Sequence, residues 1–248
     1  MSEKLSSVRR SGIRAARRGV FEGKTIVAAY PSLALPIARL RHGIPVGDDT
    51  RIVIEGFPRT GTSFAVAAFD LAQDGTVRVA CHVHAPAQII AGTRRGLPCV
   101  VIAREPEETS LSFAIRNPHL TMRQALRGYL RFYEPLLGLS DRFVVGTFEQ
   151  VTNDFGEVTR RVNERFGTAF REFEHTDENV RRCFEAIDQD YRGRLPEGEA
   201  LERQVARPSA WRRKVKEELR SSYLAPESAA LRARAERVFR AVADAADR

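Results

Sequence analysis

Residues 52 to 64 read Ile-Val-Ile-Glu-Gly-Phe-Pro-Arg-Thr-Gly-Thr-Ser-Phe, a short apolar run followed at once by a turn framed by two glycines. This order is typical of a buried strand that leads through a phosphate-binding loop into a helix. The frame Gly56-x-x-x-x-Gly61 has the spacing of a nucleotide-triphosphate loop, but Thr62 stands where that loop carries lysine. The cation of this segment, Arg59, lies inside the turn instead. We therefore expect the loop to bind an anion that need not be a triphosphate.

Three physical features of the loop favour an oxyanion. Gly56 and Gly61 allow backbone angles that a side chain would forbid, so that successive N–H groups can turn toward one ligand. Thr62 and Ser63 begin a helix, whose unpaired N–H groups and dipole attract negative charge. Arg59 adds a planar fork of donors that matches phosphate or sulfate oxygens. The alternative is an ordinary strand-turn-helix corner, since Gly, Pro and Thr are common turn formers.

Apolar runs alternate with helical patterns downstream of the loop. Strands are predicted at 77–81, 99–103 and 143–147, and helices at 63–71, 86–95, 107–115, 122–137 and, after a cap at 153 or 154, to about 165. This alternation predicts a three-layer α/β fold of the P-loop type, in which helices flank a central parallel sheet. From about residue 175 the sequence is charged and helical, so we expect a helical C-terminal region ending in an amphipathic segment at 227–243.

Polar groups follow three of the predicted strands, at the end where ligands gather in such sheets. They are the loop 56–59, the pair His82 and His84, and Arg104. An imidazole has an ordinary pKa near 6.5 and can take a proton from a hydroxyl near neutral pH. A polar strand-to-helix loop without a chemical role is the alternative for the two histidines.

A second anion signal is the pair Arg104 and Ser112, one at a strand end and the other two turns into the next helix. The two side chains can bind one phosphate from two sides. A surface cation and a neutral helix residue are the alternative interpretation.

Composition limits the class of protein. The 248 residues carry a net charge of +8, which favours anionic ligands or surfaces. Three cysteines, Cys81, Cys99 and Cys183, are too few and too scattered for a disulfide framework or a zinc site. We therefore expect a reducing, intracellular environment and a cytoplasmic protein.

The first 50 residues are predicted to be a basic extension, partly ordered against one main domain at 51–248. The extension contains a cluster of arginines: Arg9, Arg10, Arg14, Arg17 and Arg18. No apolar run in it is long enough to span a bilayer. Its basic helical segment is suited to peripheral contact with a membrane surface or to an acidic partner, and a solvated charged helix is the alternative.

Together the two anion signals resemble the sulfotransferases that use 3'-phosphoadenosine 5'-phosphosulfate (PAPS). That family carries a Pro-Lys/Arg-Ser/Thr-Gly-Thr-Thr/Ser-aromatic loop for the 5'-phosphosulfate, and residues 58–64 read Pro-Arg-Thr-Gly-Thr-Ser-Phe. It also carries an arginine and a serine eight residues apart for the 3'-phosphate, which Arg104 and Ser112 match. The resemblance covers about residues 51–170. It implies PAPS as donor, 3'-phosphoadenosine 5'-phosphate (PAP) as product, and no metal.

The same resemblance implies which residues bind the donor. They are Arg59, Thr60, Gly61, Thr62, Ser63, Phe64, Arg104, Ser112 and Phe148. Phe64 is expected to stack against adenine with Phe148 on the other side, and core packing is the alternative for both rings. The family's C-terminal Arg-Lys-Gly-x-x-Gly clamp is absent here. Arg207 and Ser209 are the residues that we expect to replace it.

The cytosolic branch of the family has a Lys-x-His-x-Pro segment between the two phosphate motifs, and its histidine is the general base. Residues 82–86 of this chain read His-Val-His-Ala-Pro. By resemblance His84 is the base, and His82 stands where the family has lysine. Arg59 would stabilise the charge that grows on the departing phosphate. The expected reaction is transfer of a sulfuryl group to a hydroxyl or amine acceptor.

Two other functions fit parts of the sequence. A P-loop kinase needs a lysine for terminal phosphates and a carboxylate for magnesium, for which Glu149 and Asp70 are the candidates. A non-catalytic polyanion-binding protein would act through the basic N-terminus. The acceptor is expected to be a small molecule, a saccharide or a lipid that contacts segments within 116–140 and 175–225. No nucleic acid partner is expected.

Overall fold

Four parallel strands form the single sheet of the computed structural model, which describes residues 2–40, 43–205 and 207–246, with side chains for all of these except 2–11 and 200. The strands are β1 (Ile52–Gly56), β2 (Val79–Cys81), β3 (Cys99–Ala103) and β4 (Val144–Thr147). Their order in the sheet is β2-β1-β3-β4, and every neighbouring pair is parallel.

Helices make up most of the remaining chain. They are α1 (Ser2–Val27), α2 (Pro31–Arg39), α3 (Thr62–Ala72), α4 (Pro86–Arg94), α5 (Pro106–Arg116), α6 (Met122–Tyr133), α7 (Phe148–Asn153), α8 (Phe155–Phe166), α9 (Asp177–Arg192), α10 (Glu199–Gln204), α11 (Ala210–Leu224) and α12 (Ala229–Ala243). Two 3₁₀ helices occupy Glu134–Arg142 and Pro226–Ser228.

The sheet is covered on both faces, because alternate residues of its strands enter different apolar clusters. Val53, Val101 and Val145 pack in one cluster with residues of α4, α5, α6 and α12. Ile54, Ile102 and other strand residues pack on the opposite face with α3, α8 and α9. A parallel sheet buried on both faces between helical layers is the predicted three-layer α/β fold, which is thereby confirmed.

Two segments differ from the sequence-based expectation. The helix predicted at 122–137 ends at Tyr133, because Pro135 follows and the chain continues as the 3₁₀ helix Glu134–Arg142. The short helix α7 was not predicted. Thr147 caps it by accepting a hydrogen bond from Gln150 N–H, while the Gln150 side chain accepts one from Thr147 N–H. Thr147-x-x-Gln150 is a capping box that the sequence displays.

The N-terminal helices contact the rest of the chain. The Phe21 ring of α1 lies 5.7 Å from the Phe113 ring. In α2, Ala34 and Ala38 pack in a small apolar cluster with Ala87 at the start of α4. The division into an extension at 1–50 and a domain at 51–248 stays a prediction. Among the helices that the structure describes, none is both long and apolar enough to cross a membrane.

Candidate active site

The parallel register brings the predicted polar groups to one edge of the sheet. Gly56 at the end of β1 is paired with Ile102, and Ala103 with Thr147. Cys81 at the end of β2 is paired with Ile54. The phosphate-type loop, residues 56–61 between β1 and α3, therefore leaves the sheet at the same edge as His82, His84 and Arg104.

The loop between β1 and α3 requires glycine at both ends of its frame. A Cβ on Gly56 would lie 2.7 Å from the Ile102 carbonyl oxygen and 2.4 Å from Thr60 Oγ1. Gly61 has φ of +100° and directly precedes α3. Thr60 is fully buried, and its hydroxyl donates to the Phe57 carbonyl oxygen at 2.8 Å. The Thr60 hydroxyl therefore forms a hydrogen bond within the loop.

The start of α3 offers uncommitted polar groups. Thr62 Oγ1 is buried and has no hydrogen-bond partner within the described part of the chain. The N-cap of the helix is Gly61, which has no side chain to cap the first N–H groups, and these groups lack intrahelical acceptors. Ser63 follows in the same turn and is half-buried. A buried hydroxyl beside free helix N–H groups fits an oxyanion.

Arg59 extends from the loop toward the C-terminal region. Its Nε donates to Ser112 Oγ at 3.1 Å, and its terminal nitrogens donate to the carbonyl oxygens of Gln204 at 3.0 Å and Val205 at 2.8 Å. Its φ is +79°, a left-handed backbone that is uncommon outside glycine. The side chain thus ties the loop to α5 and to the end of α10.

Arg212, at the start of α11, reaches the same serine. It donates to Ser112 Oγ at 2.9 Å and to the carbonyl oxygens of Glu202 at 2.8 Å and Arg203 at 3.1 Å. All oxygens that accept from Arg59 and Arg212 in these bonds are neutral. Burial lowers the pKa of Arg59 well below its ordinary value, and the neighbouring cations Arg212 and Arg116 lower it further. Burial also lowers the pKa of Arg212 to about 10.

A third guanidinium, that of Arg104, borders this pair. Its Cζ lies 3.8 Å from the centre of the Phe148 ring, its Nη2 donates to Glu108 at 3.1 Å, and its Nη1 donates to the Arg59 carbonyl oxygen at 3.4 Å. Its Nε is buried without a hydrogen-bond partner among the described residues. Burial lowers the pKa of Arg104. Arg59 and Arg212, whose hydrogen-bonding oxygens are neutral, together with the neighbouring Arg104 form an environment that favours an anion.

The His84 ring is held in a defined orientation. Its Nδ1 lies 2.8 Å from the Gly56 carbonyl oxygen, which can only accept a hydrogen bond. The neutral ring therefore carries its proton on Nδ1 and its lone pair on Nε2. The side chain is 21% exposed, so a ligand can reach it. Buried Glu55 lies beside the ring, with Oε1 3.3 Å from Nδ1.

His82 has a different electrostatic environment. Burial, and then the neighbouring His84, lower the pKa of His82 to about 4. The two rings are 5.7 Å apart. At neutral pH His82 is therefore an uncharged imidazole. It can donate or accept a hydrogen bond, but it does not supply the cation that lysine provides.

The two aromatic residues predicted to contact adenine, Phe64 and Phe148, lie in different surroundings. Phe64 is buried, and its ring lies 6.2 Å from Phe173 and 5.5 Å from Phe184. Phe148 lies under Arg104 and against the phosphate-type loop, because a Cβ on Gly61 would be 3.2 Å from its ring. Adenine stacking by either ring stays a prediction.

Arg207 and Ser209 form other contacts than the three arginines Arg59, Arg104 and Arg212. Arg207 donates to both carboxylate oxygens of Asp188, at 3.0 and 3.1 Å, and to Glu202 at 2.8 Å. Ser209 caps α11 by accepting from Arg212 N–H at 3.2 Å. In the C-terminal region, the arginine that donates to Ser112 is Arg212, whereas Arg207 pairs with Asp188 and Glu202. Sequence reasoning missed Arg212 because no spacing rule relates residues 100 positions apart.

Asp70 and Glu149, the candidate magnesium ligands of the kinase alternative, lie on different helices. Asp70 lies in α3, and burial raises its pKa. Glu149 lies in α7, where burial and the neighbouring Glu105 raise its pKa. Within the described ranges, no group of three or more His, Cys, Asp or Glu side chains is placed to bind a metal ion.

The sheet order and the loop entering α3 define a P-loop-type α/β protein. Among solved structures, the chain is similar to mouse sulfotransferase SULT7A1 complexed with PAP, with a TM-score of 0.40 and 11% sequence identity. The match covers 81% of this chain and 93% of that chain. No protein-family model matches the sequence, and no curated protein does.

Proposed function

We propose that this protein is a sulfotransferase that takes a sulfuryl group from PAPS and passes it to a hydroxyl or amine acceptor. Its strongest support is the pair Arg59 and Arg212, which both donate to Ser112 Oγ, with Arg104 bordering them. Beside them lies a loop whose Thr62 hydroxyl is buried without a hydrogen-bond partner among the described residues. In this proposal the two features serve as two anion sites. A donor with a 5'-phosphosulfate and a 3'-phosphate carries two such anions on one small molecule.

The residues present suit both ends of this donor. The N–H groups that begin α3, with Thr62 and Ser63, would bind the 5'-phosphosulfate. Ser112, Arg104 and Arg212 would bind the 3'-phosphate through charge-assisted hydrogen bonds. When bound, PAPS supplies the activated sulfuryl group. The positive field of Arg59 and the loop N–H groups favours negative charge at the phosphate that departs.

His84 would provide the proton transfer. Its Nε2 carries the lone pair, because Nδ1 faces the Gly56 carbonyl oxygen. Nε2 takes the proton of the acceptor hydroxyl or amine. The acceptor atom forms its new bond to sulfur while the bond from sulfur to the phosphate oxygen breaks. His82, uncharged near neutral pH because of its lowered pKa, would orient the acceptor by a hydrogen bond.

Calorimetric titration of the full chain with three nucleotides tests the donor class. We expect PAP to bind, and AMP, which lacks the 3'-phosphate, to bind about 10- to 100-fold more weakly, since hydrogen bonds to charged groups are worth about 1.5–3 kcal/mol each. ATP with magnesium should bind more weakly than PAP. Preference for ATP with magnesium would favour the kinase alternative. Binding of heparin but of no nucleotide would favour a polyanion-binding protein.

The acceptor requires a screen of activity. Labelled PAPS is incubated with phenols, saccharides, lipids and amines, and transfer of label is measured. Transfer to one class identifies the acceptor. PAP binding without transfer to any class would restrict the protein to nucleotide binding.

A further inference from the structure

Glu55 is a carboxylate at the end of β1 to which the sequence motifs assign no task. Its side chain is completely buried. A charge in such a place persists only when hydrogen bonds or an opposite charge compensate the lost water. The groups that compensate it therefore show what the carboxylate does.

The partners of Glu55 all belong to the phosphate-type loop or to the turn that carries the histidines. Oε2 accepts hydrogen bonds from the backbone N–H groups of Val83 at 2.8 Å and His84 at 3.1 Å. Oε1 accepts from Gly56 N–H at 3.2 Å and lies 3.3 Å from His84 Nδ1. One carboxylate thus joins the loop to the proposed base.

The turn that Glu55 binds has an unfavourable backbone. His82 and His84 have φ of +60° and +52°, in the left-handed region that residues other than glycine adopt infrequently. Such conformations persist only where surrounding contacts impose them. Two charge-assisted hydrogen bonds from consecutive N–H groups to one oxygen are contacts of this kind.

We propose that Glu55 is the positioning residue of His84. It fixes the turn at 82–84, so that Nε2 faces the acceptor, and its negative charge stabilises the imidazolium formed when Nε2 takes the acceptor's proton. The proton on Nδ1 stays on Nδ1 throughout. The second role rests on the proposed sulfuryl transfer, whereas the first does not.

Amide hydrogen exchange in the unmodified protein tests the positioning role without any substrate. We expect the Val83 and His84 N–H groups to exchange as slowly as those of β1, although they lie in a turn. Exchange at the rate of an exposed loop would overturn the proposal. This measurement stands whether or not the protein transfers sulfuryl groups.

A double-mutant cycle tests whether Glu55 acts through His84. Glu55→Gln should lower kcat about 10- to 100-fold, the usual effect of removing an orienting partner, and leave the Kd for PAP within about twofold. In a His84→Ala background the same change should alter the residual kcat by less than about twofold. An equal loss in both backgrounds would overturn the proposal. Thr159→Val, at a buried threonine of α8, is the matched control and should leave kcat unchanged.

An independent observation concerns the outer surface of α1 and α2. Among the described side chains, the large apolar ones that are well exposed are Ile13, Val20, Ile26, Tyr30, Leu33, Ile37, Leu40 and Leu224. All but Leu224 lie within the first 40 residues. Val20 is 63% and Leu40 88% exposed. Seven large exposed apolar side chains within residues 13–40 are more than scattered exposure supplies elsewhere among the described side chains, where Leu224 is the other example.

The orientation of α1 turns this set away from the domain. Arg18 donates to the His119 carbonyl oxygen at 2.6 Å, and Arg131 donates to Thr25 at 2.7 Å. Ile13 and Val20, seven residues apart, share the face opposite Arg18 and Thr25. The apolar surface is therefore directed outward.

The net charge of residues 1–40 indicates the kind of partner that this apolar surface binds. Residues 1–40 hold eight lysines and arginines against two glutamates, a net charge of +6 within a chain total of +8. Outward apolar side chains on a basic pair of helices fit the interface of an anionic bilayer. We infer that the exposed apolar side chains of this basic helix pair, Ile13, Val20, Leu33, Ile37 and Leu40, bind anionic lipid membranes.

Vesicle flotation of the full chain tests this inference. We expect binding to vesicles of phosphatidylcholine with phosphatidylglycerol and much less to phosphatidylcholine alone. The triple change Val20→Ser, Leu33→Ser, Ile37→Ser should reduce bound protein at least about tenfold, and the control Leu224→Ser should not. Equal binding by the triple variant, or dimerisation without vesicle binding in light scattering, would overturn the inference.

Discussion

Arg212 donates to Ser112 Oγ at 2.9 Å, a contact between the C-terminal helical region and the helix that follows β3. The two residues are 100 positions apart in sequence. Ser112 Oγ also accepts from Arg59 of the phosphate-type loop. A single buried hydroxyl therefore joins three distant parts of the chain around one positively charged site.

This contact predicts that Arg212 contributes to nucleotide binding. Arg212→Gln should weaken PAP binding about 10- to 100-fold, because a buried charge-assisted hydrogen bond to the 3'-phosphate is lost. AMP binding should change little, since AMP lacks that phosphate. Calorimetric titration measures both values. The adjacent Arg213→Gln is the matched control, because Arg213 is exposed, and equal effects of the two changes would contradict the assignment.

How much of this site the sequence could predict depends on the range of each contact. The loop and β3 are local features, because an apolar run and two glycines at fixed spacing determine them. The roles of Glu55 and Arg212 depend on contacts with residues 28 and 100 positions away. Neither has a motif, so only the folded chain reveals them.

Local signals also failed where two of them competed. Apolar periodicity continues past Tyr133 and predicts a helix to 137. Pro135 interrupts the hydrogen-bond pattern, and the chain forms a 3₁₀ helix there. The donor-binding roles of Arg207 and Ser209 stay predictions, and Arg207 forms ion pairs with Asp188 and Glu202.

His84 is predicted to matter for turnover and not for donor binding. His84→Ala should lower kcat about 10²- to 10⁴-fold, the usual contribution of a general base. The Kd for PAP should stay within about twofold, because the imidazole is not part of either anion site. His119→Gln, at a histidine in the turn before α6, serves as the control. Unchanged turnover in His84→Ala would exclude His84 as the base.

Gly56 is predicted to be sterically required. A Cβ at this position would approach the backbone oxygen of Ile102 to 2.7 Å, and backbone in a central strand cannot move aside cheaply. Gly56→Ala should lower the free energy of unfolding by about 1–3 kcal/mol. Gly75→Ala should change it by less than about 0.5 kcal/mol, since a Cβ there meets nothing within 4 Å. Urea denaturation compares the two, and similar midpoints would contradict the close approach.

The lowered pKa of His82 predicts that the free energy of unfolding decreases in acid. Its pKa is about 4 in the folded chain against an ordinary 6.5, because burial disfavours the imidazolium. Between these values the unfolded chain binds the extra proton, so the free energy of unfolding falls as the pH drops from about 6.5 toward 4. At pH 4.5 this amounts to about 2.5 kcal/mol, since one unit of pKa shift is about 1.4 kcal/mol.

Replacing His82 by asparagine removes this proton while retaining a residue that tolerates left-handed backbone. Urea denaturation of both proteins at pH 7.5 and pH 4.5 measures the effect. The carboxylates titrate alike in the two proteins and cancel in the difference. We expect the free energy of unfolding of His82→Asn to fall less between the two pH values than that of the unmodified chain. An identical decrease would mean that His82 gains its proton as readily in the folded protein as in the unfolded one, and so could carry positive charge near neutral pH after all.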